Sequence, residues 1–481
     1  MTNNEAHAAR MGQRRLNVSL VALTAAIGGL LLGFDATVIS GVVPFIREYF
    51  QLSGTGGDLR LGWAVSSLGW GALAGNAFAG VLSDRLGRRK VLLCAAALFV
   101  VSASLASLAT TLTAFVVARS VGGLAVGAAI LIAPVYIAEI APAQRRGGLV
   151  SLNQLMIVIG ISASFFSNYF LLDVGEHNWR WMLGVQVVPA LLYLLLLSRI
   201  PESPRWLVIK GRDEQALEVL TRVAGAVQAQ ANLQQIRQSL AAKHVSHGWR
   251  GLFDRRIRLV MLIALGLAFF QQITGINAIF YYLPTIFAQA GGGVSDAFRQ
   301  AVIVGLVNVV MTVVAIRLID RLGRKPLLII GIAGMAVSLL TISWAFSVAP
   351  HDPALADVAP TVNAPLVLIA IIGFVASFAI SLGPVMWVLL SEIFPTEQRA
   401  AAISVAGFFN SLVSASVTFI FPWALSTLKP SGTFLAFGLM ASAALIFTLL
   451  FVPETKGRTL EELEHELMSP PSATRGKVTV A

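Results

Sequence analysis

The sequence predicts an all-α membrane protein of twelve transmembrane helices in two related six-helix bundles. Two observations predict it. Hydrophobic residues make up 56% of the 481 positions and charged residues only 12%, more apolar surface than a soluble core of this length could bury. The chain also repeats itself. DRLGRRK at Asp84 to Lys90 returns as DRLGRKP at Asp320 to Pro326, and AEIAPAQRRG at Ala138 to Gly147 returns as SEIFPTEQRA at Ser391 to Ala400. PESPRWL from Pro201 returns as PETKGRTLEE from Pro453. Three motif pairs in one order, about 240 to 250 residues apart, mean two homologous halves. In a membrane chain, parallel halves imply a transporter built around a central site.

Runs of about 20 apolar residues, enough to cross roughly 30 Å of hydrocarbon as helix, recur along the chain. In the first half they are Val18 to Ser40, Leu61 to Leu82, Val91 to Leu108, Leu112 to Ile137, Leu149 to Leu172 and Trp181 to Leu197. The basic start and apolar run up to Leu32 mimic a signal peptide. That run continues past Asp35 to Ser40 without a small-residue cleavage site in its flanks, so it reads as an uncleaved first span. Gly71, Gly75 and Ala79, and Gly122, Gly123 and Gly127, are small residues at spacings that let helix backbones approach closely. The second half supplies Ile257 to Phe287, Ala301 to Ile319, Leu327 to Val348, Ala364 to Leu390, Ala401 to Leu425 and Phe434 to Phe451.

The bundles therefore occupy 18–200 and 257–452, with terminal segments at 1–17 and 453–481. Between them, 201–256 is a polar linker rich in Gln, Ala, Leu and Arg, where Leu217, Leu220, Val223 and Val227 recur at helical spacing. It reads as short amphipathic helices on the cytoplasmic surface. Beyond Glu464 the composition predicts disorder.

A formal net charge of +11 would suggest nucleic acid in a soluble chain. Here the positions of the charges decide otherwise. Arg10, Arg14 and Arg15, the Arg85 to Lys90 cluster, Arg145 and Arg146, the Lys210 to Arg258 segment, Arg321 to Lys325, and Arg399 all fall on alternate loops. The opposite loops carry mostly acids or nothing, as at Asp173 and Glu176 or Asp352 and Asp357. By the positive-inside rule the basic loops and both termini are cytoplasmic, so the excess charge reflects topology and no nucleic-acid partner is expected.

The single cysteine, Cys94, excludes an intrachain disulfide and is expected to be a small buried apolar residue. With six His and no clustered metal ligands or nucleophile–base pair, neither an enzyme nor a cofactor is expected.

Amides recur at membrane depth: Gln154 in the fifth span, Gln271, Gln272 and Asn277 in the seventh, Asn308 in the eighth and Asn410 in the eleventh. An amide offers donor and acceptor together without the cost of a buried charge, which suits a ligand covered in hydroxyls. The alternative is that they hydrogen-bond helices to one another. Gln271, Asn277 and Tyr281 are spaced to share one flank of a helix. Asp35 in the first span and Arg119 in the fourth are ionisable groups in hydrocarbon, where an acid needs a partner or a proton.

With its repeated D-R-x-G-R-[RK] turns, the chain resembles the major facilitator superfamily. With PESPRWL, QQITGIN at Gln271 to Asn277 and PETKGRTLEE, it is similar to the sugar porter branch from about Gly28 to Glu464. The resemblance implies two six-helix bundles related by a pseudo-twofold axis along the membrane normal, a monosaccharide site between them, and a monomer. It implies sugar contacts at Gln154, Gln271, Gln272, Asn277, Tyr281, Asn308 and Asn410, with the Trp387 ring against a sugar face. Ile161 and Ser411 depart from the family's glutamine and tryptophan, which leaves the sugar undefined. The pairing of an acid at Asp35 with Arg119 resembles the proton-coupled members. A facilitator without proton coupling and a sugar sensor are the alternatives. The resemblance also implies a cytoplasmic gate of Asp84, Arg85, Arg88, Glu139 and Arg146, matched by Asp320, Arg321, Arg324, Glu392 and Arg399 and joined by Glu202, Arg205 and Glu454. A simpler role for those charges is to set topology.

Overall fold

The computed structural model describes residues 17–241, 257–348, 362–395 and 398–458, and every regular element among them is helical. Arg10, Arg14, Arg15, Asp352, Asp357, the tail beyond Glu464 and the side chain of Asp320 lie outside the described residues. The first half comprises α1 (Val18–Tyr49), α2 (Gly54–Leu86), α3 (Arg88–Ser107), α4 (Leu112–Ile140), α5 (Arg146–Phe170), and a sixth span in two pieces, α6 (Asn178–Gly184) and α7 (Val187–Arg199). The linker holds α8 (Pro204–Ile209), α9 (Asp213–Ala224) and α10 (Ala226–Ala241). In the second half the seventh span is divided into α11 (Arg258–Ile273), α12 (Ile276–Tyr281) and α13 (Leu283–Gln289). There follow α14 (Val294–Leu322), α15 (Arg324–Ser347), a tenth span split into α16 (Ala364–Ile380) and α17 (Leu382–Ile393), then α18 (Arg399–Thr427) and α19 (Lys429–Phe451). Among the described residues, twelve spans are long and apolar enough to cross a membrane.

The helices overrun the apolar runs that revealed them. The first run stops near Ser40, whereas α1 continues to Tyr49, because main-chain hydrogen bonding does not end where hydrophobicity does. The breaks come from the backbone. Gly275 adopts a left-handed φ of 86° between α11 and α12, a conformation costly for any residue with a Cβ. Ser381 interrupts the tenth span at φ −123°, ψ −101°, just ahead of Gly383 and Pro384. Gln271, Asn277 and Tyr281 therefore do not lie on one uninterrupted helix flank, as their spacing had suggested.

The small residues serve close packing. A Cβ at Gly71 would meet Ser120 and Gly123 of α4, one at Gly75 would meet Leu124, and one at Gly127 would meet Ala72 and Asn76. Cys94, by contrast, is exposed on α3 and not buried. Lipid tails are as apolar as a protein core, so a small apolar residue gains little by turning inward.

In the linker, Trp206, Leu207, Ala216, Val219, Leu220, Ala229 and Leu233 form a small core, with Leu217 and Val223 packed against it. Val227 does not join and is 93% exposed. Gly225, at φ 87°, ends α9 and resets the helical phase before Val227.

Contacts group the chain into two compact units. One draws on the chain up to Ala36, Trp70–Ser164 and the stretch from Val174 into the linker. The other combines Thr37–Gly69 and Phe165–Asp173 with the second half. Within that second unit, Gly62 lies against the Phe419 main chain and Gly69 against Ala415, both on α18.

Candidate functional site

In the first unit, Asp35 of α1 and Arg119 of α4 are 2% and 1% exposed and form an ion pair through Asp35 Oδ1 and Arg119 Nη1. Arg119 Nη2 also donates to the Asp35 main-chain oxygen at 3.0 Å. Asp35 Oδ2 and Arg119 Nε are buried and have no hydrogen-bond partner among the described residues. Gly122, one turn along α4 from Arg119, leaves room for that free oxygen, because a Cβ there would lie 2.9 Å from Oδ2. Among the described residues, then, one carboxylate oxygen is paired with the guanidinium and the other has no donor, so the pair is half satisfied.

In the second unit the helix breaks bring four predicted amides together. Gln272 Nε2 donates to Asn410 Oδ1 at 3.1 Å and to Gln271 Oε1 at 3.3 Å. Asn410 Nδ2 donates to Gln271 Oε1 at 2.8 Å and to the Ala268 oxygen at 3.0 Å. Asn277 Nδ2, on the far side of the Gly275 break, reaches Gln272 Oε1 at 2.9 Å and Ser414 Oγ at 2.7 Å. Gln271 Nε2 donates to the Leu382 oxygen at 2.7 Å, the first residue of α17 after the Ser381 break. The network thus ties both broken spans to α18. Because every member carries a donor and an acceptor, ligand hydroxyls can exchange for amide partners without leaving a buried group bare.

The remaining predicted contacts are more dispersed. Trp387 on α17 is 38% exposed, and Gly407 of α18 gives its ring space, a Cβ there lying 3.6 Å from Trp387 Cη2. Asn308 is buried on α14, and Tyr281 ends α12 half-buried. Gln154 is exposed on α5, in the unit that does not hold the amide network. Of the departures, Ser411 turns its hydroxyl back onto its own helix at the Gly407 oxygen.

The repeated charged motifs build two matching clusters, one in each unit. In the first, Arg88 donates through Nε and Nη2 to Glu139 at 3.0 and 3.2 Å, and through Nη1 to Asp84 at 3.0 Å. In the second, Arg324 donates through Nε and Nη2 to Glu392 at 3.2 and 2.8 Å. Each arginine also bonds a main-chain oxygen five residues back, at Ser83 and Ile319. Such forked arginine–carboxylate pairs fix orientation as well as charge.

The P-E-S and P-E-T motifs complete each cluster. Glu202 accepts from the main-chain nitrogens of Arg89 and Ser203, and Ser203 Oγ donates to Glu139 at 2.5 Å. Ser203 also caps α8, with Pro204 in the first turn, and Trp206 Nε1 donates to the Asp84 main-chain oxygen. Likewise Thr455 Oγ1 donates to Glu392 at 2.5 Å. Glu454 accepts from the nitrogens of Arg324, Lys325 and Lys456 at 3.1, 3.0 and 2.8 Å. Burial pushes the Glu454 carboxyl up, but the N–H groups of Lys456, Arg324, Lys325 and Thr455 outweigh it and hold it below the usual carboxylate range.

Arg85, Arg146 and Arg321 are exposed and Arg205 half-exposed, outside these clusters. Arg399 bonds the Phe394 oxygen and no carboxylate among the described residues. Sequence reasoning missed Ser203 and Thr455, although their equivalent places after the repeated Pro-Glu would have exposed them. It also missed Ser414, for which the sequence carries no signal, and read Gly122 only as a close-packing residue.

The chain matches the sequence model of the family described as Sugar (and other) transporter over residues 21–467. It is 37% identical over 453 residues to the arabinose-proton symporter of Bacillus subtilis, covering 93% of this chain and 94% of that one. It is 38% identical over 478 residues to the D-xylose-proton symporter of Escherichia coli, covering 92% and 94%. An inward-open structure of the xylose transporter from E. coli superposes with a TM-score of 0.81 at 36% identity, covering 93% of this chain and 99% of the other. Together with the duplicated carboxylate–arginine clusters, these matches place the chain in the sugar porter family of the major facilitator superfamily.

Proposed function

We propose that the protein takes up a monosaccharide together with a proton across a bacterial-type inner membrane, by alternating access of the bundles 18–200 and 257–452. It works as a monomer with both termini cytoplasmic. The observation that carries the coupling is the half-satisfied pair of Asp35 and Arg119. A proton on Asp35 Oδ2 converts the carboxylate to a neutral acid and removes its attraction for Arg119, which keeps its bond to the Asp35 main-chain oxygen. α1 and α4 are then free to move relative to each other, and loss of the proton to the cytoplasm restores the pair. Desolvation disfavours a bare charge here, so α1 favours movement only with the proton aboard.

Sugar hydroxyls exchange into the network of Gln271, Gln272, Asn277 and Asn410, with Gln154, Asn308 and Tyr281 adding contacts and Trp387 covering an apolar sugar face. The Arg88–Glu139 and Arg324–Glu392 clusters, with Asp84, Arg85, Arg146, Glu202, Arg205, Asp320, Arg321, Arg399 and Glu454, form the cytoplasmic gate. Two relatives are named as arabinose-proton and D-xylose-proton symporters, and this supports a sugar of that class.

The test is external pH in energy-depleted cells as each candidate sugar is added. Alkalinisation with one sugar, abolished by Asp35→Asn, is the expected result. Entry of labelled sugar down its gradient with no pH change makes the protein a facilitator instead.

A further inference from the structure

Away from the amides, a groove of about 640 Å³ runs between α11, α18 and α19. Leu262, Leu265 and Phe269 of α11 form one wall, and Phe409 and Phe447 form the other. Arg258 stands at its mouth. Arg258, Leu262, Leu265 and Phe269 recur every three or four residues, so one helix face carries a charge and then an apolar track, about 16 Å in all. Phe447 presses onto Gly266, where a Cβ would come within 2.9 Å of its ring. Arg258 is exposed and forms no ion pair with any described residue.

We propose that this groove holds one acyl chain of an anionic phospholipid of the cytoplasmic leaflet, with the headgroup phosphate on Arg258. The positive-inside pattern puts the start of α11 at that leaflet's headgroups. Charge complementarity selects the lipid: Arg258 is an exposed cation at the mouth of the groove, and a cation at the cytoplasmic membrane surface attracts anionic headgroups. An extended peptide would carry unpaired main-chain groups into hydrocarbon, and a lipid tail carries none.

The test is native mass spectrometry of the full chain with phosphatidylglycerol or phosphatidylcholine of identical acyl chains. One phosphatidylglycerol is expected to be retained about fivefold over phosphatidylcholine, the effect of one arginine near the membrane surface. The preference disappears in Arg258→Gln and returns in Arg258→Lys, while Leu262→Trp, which fills the groove, lowers retention of both lipids. Equal retention of the two lipids, or a preference that survives Arg258→Gln, overturns the headgroup assignment. Displacement by glycerol phosphate lacking acyl chains overturns the groove.

Discussion

Asp35 and Arg119 are each almost completely buried, so neither tolerates the loss of the other. Arg119→Gln leaves a carboxylate in the bundle without its cation. It is expected to destabilise the protein by about 3 to 5 kcal/mol, read by denaturant unfolding in detergent, and the Asp35→Asn, Arg119→Gln double variant is expected to recover part of this. A double variant as unstable as the sum of the two singles would refute coupling between them. Glu454 makes a pH prediction. Its carboxyl is held below the usual range in the folded protein, so the stabilisation is present above the ordinary carboxylate pKa and is lost as pH falls through the lower folded value. Thermal stability of the native protein should decline across that acid window, and Glu454→Gln should flatten the decline. An unchanged acid profile in Glu454→Gln would show that the nearby N–H groups do not favour the charged form.

At the scale of elements, the seventh and tenth spans are broken where the amides gather. Gly275 carries the first break with φ 86°, and a Cβ there would also overlap the Phe437 ring. Gly275→Ala is therefore expected to cost about 1 to 2 kcal/mol of backbone strain, plus the ring clash, and to weaken sugar binding by displacing Asn277. Adding Phe437→Ala should relieve only the clash. If the single variant keeps wild-type melting and sugar affinity, the break does not position the amides. The D-R-L-G-R turns show the same economy twice. Gly87 and Gly323 have φ of 106° and 96°, and the Glu202 and Glu454 carboxylates occupy the space a Cβ would take. The turn and the glutamate that closes it belong together, which is why the motif pairs recur in register along the sequence.

Considered as a whole molecule, the chain places Thr37–Gly69 in the same compact unit as the second half. A Cβ added at Gly69 would lie 3.2 Å from the Ala415 Cβ, close to the separation a disulfide spans. In a Cys94→Ser background, Gly69→Cys with Ala415→Cys is expected to crosslink on oxidation. The crosslink should abolish uptake, because alternating access requires α2 and α18 to part where it joins them, and reduction should restore it. A crosslinked protein that still transports would mean that α2 and α18 do not separate during the cycle.

Apolar runs and paired motifs are local signals, so the spans, the duplication and the helices of the linker were legible in the sequence. It misjudged Cys94, since helical spacing says which residues share a face but not whether that face meets protein or lipid. It misjudged Val227 and the shared flank of Gln271, Asn277 and Tyr281 for a related reason: Gly225 and Gly275 reset the helical phase. That Gln271, Gln272, Asn277 and Asn410 form one network, that Ser203 and Thr455 complete the carboxylate clusters, and that one oxygen of Asp35 has no donor among the described residues emerged only from the folded structure. Those facts depend on distances between residues far apart in the chain, which periodicity within a single helix does not encode.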